Sequence, residues 1–291
     1  AVGRLARRGT GDFIWDQAGN QISKLAAGVA EAGIEEPDNA EQNITVPAER
    51  IGQLTRNNVS ALELGRVTTI VDGEPDTVTG ITASGAVSMA VTGASLTIDE
   101  AIDTTNTISL STSDAALTVN DTINTTDDTT SALTLTTSGT GGVIELGADI
   151  TTVGDQTLSG DSKLIADVTL NATGAGSAPG DISFIAGDMA NASDTERLTL
   201  VSDGTVSATG AMVIDELALQ GTADYTLDNA GNQISLLAAG REAERIGTLT
   251  VANTTTALEV GTLDTQSGIY ATGDVDLTSA DADLIVNQAI D

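Results

Sequence analysis

Acidic side chains are abundant among the groups in this sequence that could do chemistry. The 291 residues include 42 Asp and Glu against 11 Lys and Arg, and they include neither His nor Cys. Nucleophilic triads, imidazole bases and the usual zinc sites need His or Cys, so the composition excludes them. Two uses of carboxylates remain, which are the binding of a cation and acid–base catalysis by a carboxylate pair.

Asp274 and Asp276 form the candidate cation site. They are two residues apart in an extended run, so both carboxylates point to one side of a strand, and Ca²⁺ prefers such oxygen ligands. The chain has no EF-hand loop and no glycine-rich nonapeptide motif. The sequence therefore predicts no cofactor except calcium at these two residues, and loose screening by cations is the alternative interpretation.

Carboxylate pairs could also cleave polysaccharides, which is a reaction that parallel β-helices can host. The candidate acids are Asp99, Glu100, Asp103, Asp274, Asp276, Asp281 and Asp283. Sugar sites normally offer aromatic platforms, but aromatic residues are 2% of the chain and are scattered. Phe13 and Tyr225 occupy equivalent repeat positions and are interpreted as core residues. We therefore expect no enzymatic activity and no catalytic residues.

The net charge limits the partners. It is −31 at pH 7, and seven of the eleven basic residues lie within residues 1–66. An acidic chain repels phosphate backbones and anionic lipids, and no apolar run approaches the roughly 18 residues of a membrane span. The sequence predicts neither nucleic-acid binding nor membrane insertion.

Asn-x-Ser/Thr sequons mark possible glycan acceptors. They lie at Asn43, Asn58, Asn120, Asn124, Asn171, Asn191 and Asn253. Several sequons are expected by chance in so Thr-rich a chain.

An internal repeat organises these residues. Three blocks of residues 12–103 return in the same order within residues 224–291, and AGNQIS is unchanged between the copies. The repeated asparagines Asn20 and Asn232 are interpreted as a buried turn or an asparagine ladder that bonds backbone groups. The first copy has a 17-residue insertion, which we place within residues 29–48. We expect it to form a loop that contacts a partner, because solenoids carry function on their loops.

Short alternating runs such as SLTID, TISLS and ALTVN recur about every 20 to 25 residues. They are rich in β-branched residues and are separated by Gly, Asp and Asn, which is typical of strands and turns. The predicted fold is an all-β parallel β-helix, or β-solenoid, of roughly 12–14 coils. It forms one continuous segment over residues 1–291. Thr134 and Thr136 are interpreted as outward residues and not as part of a sustained hydroxyl array.

The AGNQIS, ALELG/ALEVG and GITASGAVSMAV/GIYATGDVDLTS blocks resemble filamentous-haemagglutinin-like bacterial surface adhesins over essentially the whole chain. The resemblance implies a right-handed β-helix within a very long secreted protein that is displayed at the cell surface. The expected function is a structural or adhesive shaft. The expected partners are host, neighbouring-cell or matrix surface components, or copies of the chain end to end. The alternatives are a self-assembling extracellular filament or sheath subunit and a polysaccharide-active β-helix enzyme.

Overall fold

A computed structural model describes residues 2–7, 13–15, 22–27, 54–58, 60–71, 74–126, 131–173, 179–193 and 195–291. All regular elements in these ranges are β-strands. In chain order the strands are β1 (Val2–Arg7), β2 (Phe13–Trp15), β3 (Ile22–Ala27), β4 (Leu54–Asn58), β5 (Leu62–Leu64), β6 (Val67–Val71), β7 (Glu74–Val78), β8 (Ile81–Ala83), β9 (Val87–Thr92), β10 (Leu96–Ile98), β11 (Ile102–Thr104), β12 (Ile108–Ser113), β13 (Leu117–Val119), β14 (Ile123–Thr125), β15 (Leu133–Ser138), β16 (Ile144–Leu146), β17 (Ile150–Thr152), β18 (Gln156–Ser159), β19 (Ser162–Leu164), β20 (Val168–Ala172), β21 (Ile182–Ile185), β22 (Met189–Asn191), β23 (Arg197–Ser202), β24 (Thr205–Ala208), β25 (Met212–Gly221), β26 (Asp224–Leu227), β27 (Gln233–Ala239), β28 (Leu249–Asn253), β29 (Leu258–Val260), β30 (Thr262–Leu263), β31 (Gln266–Ser267), β32 (Val275–Ser279) and β33 (Leu284–Val286).

Two long parallel sheets run along the molecule. Sheet B is the 11-stranded sheet, in the order β2-β4-β9-β12-β15-β18-β21-β24-β26-β28-β32. Sheet A is the 18-stranded sheet, to which most coils contribute two short strands, such as β10 and β11. Each strand pairs in parallel with its equivalents in the preceding and following coils. The prediction of a parallel β-solenoid is confirmed.

Aliphatic ladders fill the space between the sheets. Leu96, Leu117 and Ile144 stack in register at one inward position of sheet A, and all three are 0% exposed. The alternating burial of strands such as β9 and β15 follows from the two-residue period of side chains on a strand. Stacked Leu, Ile and Val thus form the narrow core that the composition indicates.

Buried hydroxyls close one corner of the coil. Thr104, Thr125, Thr152 and Ser202 are at most 2% exposed. Each hydroxyl donates to a main-chain carbonyl, as in the 2.8 Å bond from Thr104 to Gly85. These bonds satisfy carbonyl groups where the chain turns and the ladder between coils is interrupted.

The number of turns is smaller than predicted. Leu54 is linked to Val275 by nine successive register steps in sheet B, which span 221 residues, or about 25 residues a step. The molecule makes about nine turns, whereas we predicted 12–14. The prediction divided the length of the whole chain by the length of a coil without insertions. Segments that leave the coil add residues without adding a turn.

Two such segments are antiparallel hairpins that the comparison of the repeat copies missed. The β6–β7 hairpin leaves the first repeat copy between Gly65 and Gly80, and the shorter β30–β31 hairpin leaves the second copy between Gly261 and Gly268. Gly80 and Gly268 both have positive φ, and a Cβ on either would lie 2.2 Å from a carbonyl oxygen of the next coil. Only glycine therefore fits where the chain rejoins the solenoid.

The repeat extends further towards the N-terminus than the sequence blocks indicate. β1 pairs with β3 in the same register as β25 pairs with β27, so Leu5 corresponds to Leu217. The insertion predicted at residues 29–48 lies outside the described residues. No helix of the described chain is long and apolar enough to cross a membrane.

Candidate functional site

Aspartate carboxylates at the corners bind the main chain of the neighbouring coil. In the described residues, eight aspartates each accept a hydrogen bond from a backbone N–H that lies 20 to 30 residues later. They are Asp114, Asp149, Asp155, Asp161, Asp167, Asp181, Asp188 and Asp224. An N–H group at a corner has no ladder partner, so a carboxylate there replaces the missing carbonyl.

Successive aspartates link one coil to the next where the chain begins the strands of sheet B. The backbone N–H of Asp181 donates to Asp155 over 3.0 Å, and the carboxylate of Asp181 accepts from the N–H of Thr205 over 2.6 Å. Each of these residues thus joins its own coil to a neighbour. Part of the acidity of the chain is therefore used for stacking of coils.

The predicted cation ligands lie at the last coil. Asp274 and Asp276 are both exposed, and Asp276 is in register with Thr250 on the outer face of sheet B. In the described part of the chain, no three acidic side chains lie close enough together to hold a metal ion. The calcium site stays a prediction that rests on two exposed carboxylates.

The acids considered for polysaccharide cleavage have other partners. Asp99 accepts from Asn120 over 2.7 Å, Asp103 accepts from Asn124 over 3.0 Å, and Glu100 lies 3.9 Å from Arg66. The structure thus assigns stacking or pairing contacts to all three. Asp281 and Asp283 are both exposed and lie in the last coil.

The sequon asparagines fall into different environments. Asn43 lies outside the described residues, and Asn58 lies in β4, where its backbone pairs with Val91. Asn120 is exposed and Asn124 is half-buried. Asn171 accepts from Thr173 through its side-chain oxygen, and Asn191 donates to the carbonyl of Glu196 over 2.9 Å.

Asn253 is the most enclosed sequon asparagine among those described. It is 2% exposed, its Oδ1 accepts from the N–H of Ile234 over 2.8 Å, and its Nδ2 donates to the carbonyls of Ile234 and Thr256. A glycan on this nitrogen would displace both donated bonds. Asn232 of AGNQIS is buried in the same way, accepting from the N–H of Met212 and donating to Leu227. The interpretation of that residue as a buried, backbone-bonding asparagine is confirmed.

Tyr225 fills the core, as its position in the repeat indicates. It is 0% exposed, and its hydroxyl donates to the carbonyls of Leu200 and Gln220. Burial raises the pKa of this hydroxyl well above its usual value. A neutral, hydrogen-bonded phenol in this place serves the fold.

A short hairpin fastens several coils together on the outside of sheet A. We call residues 262–267, which contain β30 and β31, the strap. Leu263 of the strap is 4% exposed and packs with Ala218 and Ala238, which are themselves buried on neighbouring strands of sheet A. The β6–β7 hairpin lies in the corresponding place, because β6 contacts β1 and β3.

Two polar residues of the strap bind it to strands of sheet A. Gln266 is 1% exposed, and its Nε2 donates to the carbonyl of Leu219 over 2.7 Å while its Oε1 accepts from Gln220 over 3.1 Å. Asp264 reaches Arg197 over 2.8 Å. The strap thus links β29, which precedes it, to β25 and β23, and it could not be found from the spacing of short motifs.

The outer side of sheet B has a different character. One outward position holds a hydroxyl in eight successive coils, and the register places these residues in a single file. They are Ser88, Ser109, Thr134, Thr157, Ser183, Ser207, Thr226 and Thr250. We call this file the hydroxyl face. As expected, the Thr-x-Thr spacing of Thr134 and Thr136 is not sustained, because the second position holds Ala90 and Ile185 in other coils. The hydroxyl at the first position is sustained, and the variable coil lengths hide that register in the sequence.

Comparison of the chain with protein-family models, curated proteins and solved structures finds no match. The resemblance to filamentous-haemagglutinin-like adhesins therefore stays a prediction. Three features of the solenoid itself are relevant to function, which are the corner carboxylates, the strap and the hydroxyl face.

Proposed function

We propose that this chain is a structural or adhesive shaft segment of a large secreted cell-surface fibre and that it has no catalytic role. The observation that carries the proposal is the use of polar side chains as links between coils. Corner aspartates, buried asparagines and the strap all bind the main chain of neighbouring coils. Such links suit a rod that must resist separation of its coils.

The acidic surface suits the same role. A net charge of −31 opposes unspecific bundling of rods and maintains solubility. Host, neighbouring-cell or matrix surface components are the proposed partners, and the insertion at residues 29–48 is the proposed contact.

Surface labelling of intact source cells tests this function. An antibody raised against the chain should label unbroken cells, and mild proteolysis of those cells should remove the label. Electron micrographs of the isolated chain should show short rods. Labelling that requires cell lysis would contradict the proposal.

A self-assembling filament subunit is the second candidate. Parallel backbone ladders join each coil to the next along sheet B, and the same kind of pairing could join coils of separate chains. Fibres whose length grows with protein concentration would favour this candidate over a shaft segment.

A polysaccharide-active enzyme is the remaining alternative. A reducing-sugar assay on acidic polysaccharides separates it from the shaft. Release of reducing ends that disappears in the Asp276→Asn or Asp103→Asn variant would overturn the proposal of a non-catalytic shaft.

A further inference from the structure

The hydroxyl face consists of side chains that the fold does not use. Within the described part of the chain, none of its eight hydroxyls has a hydrogen-bond partner. All eight side chains are half-buried or exposed. The hydroxyls at the corners behave differently, since Thr104, Thr152 and Ser202 each donate to a carbonyl. A regular file of hydroxyl donors and acceptors that the rest of the described chain does not engage is therefore available to a partner.

Most of this face is uncharged in a strongly acidic molecule. The strands of sheet B from β9 to β24 contain no Asp, Glu, Lys or Arg. Carboxylates lie at its margins, where Asp155 and Asp181 accept from backbone N–H groups at the corner, and at its end, where Asp276 follows Thr250 in the register. Two copies of a chain with a net charge of −31 can approach through the six uncharged strands without bringing carboxylates directly together.

We propose that the hydroxyl face pairs side by side with the hydroxyl face of a second copy of this chain. A hydroxyl both donates and accepts hydrogen bonds, so a hydroxyl file is complementary to itself, which a carboxylate surface is not. Pairing of two identical faces gives an isologous interface about a two-fold axis. This inference goes beyond the proposed function, because it specifies lateral association of rods, whereas stacking of end coils gives longer rods.

The available area suits a weak, reversible pair. The six uncharged strands at about 4.8 Å spacing and five residues of about 3.3 Å each give a face of roughly 24 Å by 17 Å. This is about 400 Å² in plan, which is below the roughly 800 Å² per partner of standard interfaces and within the range of transient ones. Small Ser, Thr and Ala side chains let two sheets approach closely.

A second copy fits this face better than a glycan does. Sugar binding normally uses aromatic stacking, but the aromatic residues in these strands, Phe184 and Tyr225, point inward and are 3% and 0% exposed. The outward positions beside the file hold Ala90, Ser111, Thr136, Ser159 and Ile185, of which Ile185 is 38% exposed. They add small and aliphatic side chains but no aromatic platform for a sugar ring.

Small-angle X-ray scattering and sedimentation over a range of concentrations test the pairing. The intact chain should change from rods to pairs with a larger cross-section and unchanged length. Added salt should favour pairing, because it screens the net repulsion between copies. The Thr157→Asp variant should weaken pairing at least 100-fold, because each pair would enclose unpaired carboxylates.

Two matched variants keep the test specific. Thr157→Ser retains the hydroxyl and should pair like the parent chain. Thr151→Asp places the same charge on the outer side of sheet A, between Asn124 and Asn171, and should also pair normally. Circular dichroism and thermal unfolding of all three variants should match the parent chain, since these positions point outward.

The proposal is overturned by any of four results. These are a chain that stays monomeric at all concentrations, pairs that double in length at constant cross-section, equal weakening by Thr151→Asp and Thr157→Asp, and a monomeric chain that binds a neutral glucan resin through residue 157. The last result would assign the face to a glycan. The shaft function would survive each of these results, because cell-surface labelling tests it separately.

Discussion

Polar residues of the same types have opposite surroundings at the corners of the coils and on the outer side of sheet B. Corner residues such as Thr104 and Asn253 are almost fully buried and bond to the main chain of a neighbouring turn. Thr157 and Thr134 of the hydroxyl face bond to nothing within the described residues. The difference teaches that position in the coil, and not residue type, decides whether a polar side chain stabilises this fold.

The largest expected effect is at Asn253. Asn253→Ala would leave the N–H and carbonyl of Ile234 and the carbonyl of Thr256 without partners in a buried corner. We expect a loss of roughly 3 kcal/mol in the free energy of unfolding, measured by urea denaturation. The exposed sequon asparagine Asn120 is the control, and Asn120→Ala should cost under about 1 kcal/mol. Equal losses would contradict the contrast between corner and surface.

The second largest expected loss of stability is at the strap. Gln266→Ala removes the donor to Leu219 and the acceptor for Gln220 from a buried site, so we expect a loss of about 2 kcal/mol. Hydrogen exchange should rise in β25 and β27, which the strap covers. Asp264→Asn is the control, because it weakens an exposed ion pair yet Asn tolerates the φ of 52°. A loss under about 1 kcal/mol is expected there.

A corner carboxylate should contribute less. Asp181→Ala removes the acceptor for the N–H of Thr205, and we expect a loss of about 1 to 1.5 kcal/mol. Asp181→Asn keeps an acceptor oxygen and should recover most of that stability. If both variants lost the same amount, the negative charge and not the hydrogen bond would be the stabilising feature.

Ionisation of Glu196 should make the free energy of unfolding depend on pH. This residue lies at a turn and is 9% exposed. Burial disfavours the charged carboxylate, but hydrogen bonds from the hydroxyl and N–H of Ser193 outweigh it and hold the pKa of Glu196 below its ordinary value of 4.5. A lowered pKa means that the stabilisation is complete above pH 4.5 and is lost as the pH falls through the folded-state value.

Glu196→Gln should therefore destabilise the chain by about 1 kcal/mol at pH 7, and the difference from the parent chain should shrink below pH 4.5. Chemical denaturation at several pH values measures this. Glu242→Gln, in an exposed turn, is the control at each pH. A difference that stayed constant down to pH 2 would mean that ionisation of Glu196 does not stabilise the turn.

The smallest expected effect is on the hydroxyl face. Thr157→Ala should change the free energy of unfolding by less than about 0.5 kcal/mol, because its hydroxyl has no partner in the described chain. Thr152→Ala is the matched corner control and should cost clearly more, since it removes the bonds to Gly154 and Gln156. A large loss at Thr157 would show that the hydroxyl face stabilises the single chain.

Much of the fold could be predicted because its physical basis is local. Alternating aliphatic residues, as in SLTID and ALTVN, specify strands with one buried side, and the return of AGNQIS indicates a repeated coil. The core position of Tyr225 and the buried Asn232 followed from the same comparison. The strap could not be predicted, because Gln266 bonds to Leu219 across 47 residues and its own short sequence carries no sign of that contact.

The sequence by itself determined the all-β class, the inward aliphatic ladders and the acidic exterior, because these depend on residue type and a period of two. Only the tertiary structure decided which Thr, Asn and Asp side chains are links and which are left over. The physical reason is register. Coils of 19 to 33 residues bring distant residues side by side, and the place where each coil turns determines whether a polar group meets a neighbouring backbone or solvent.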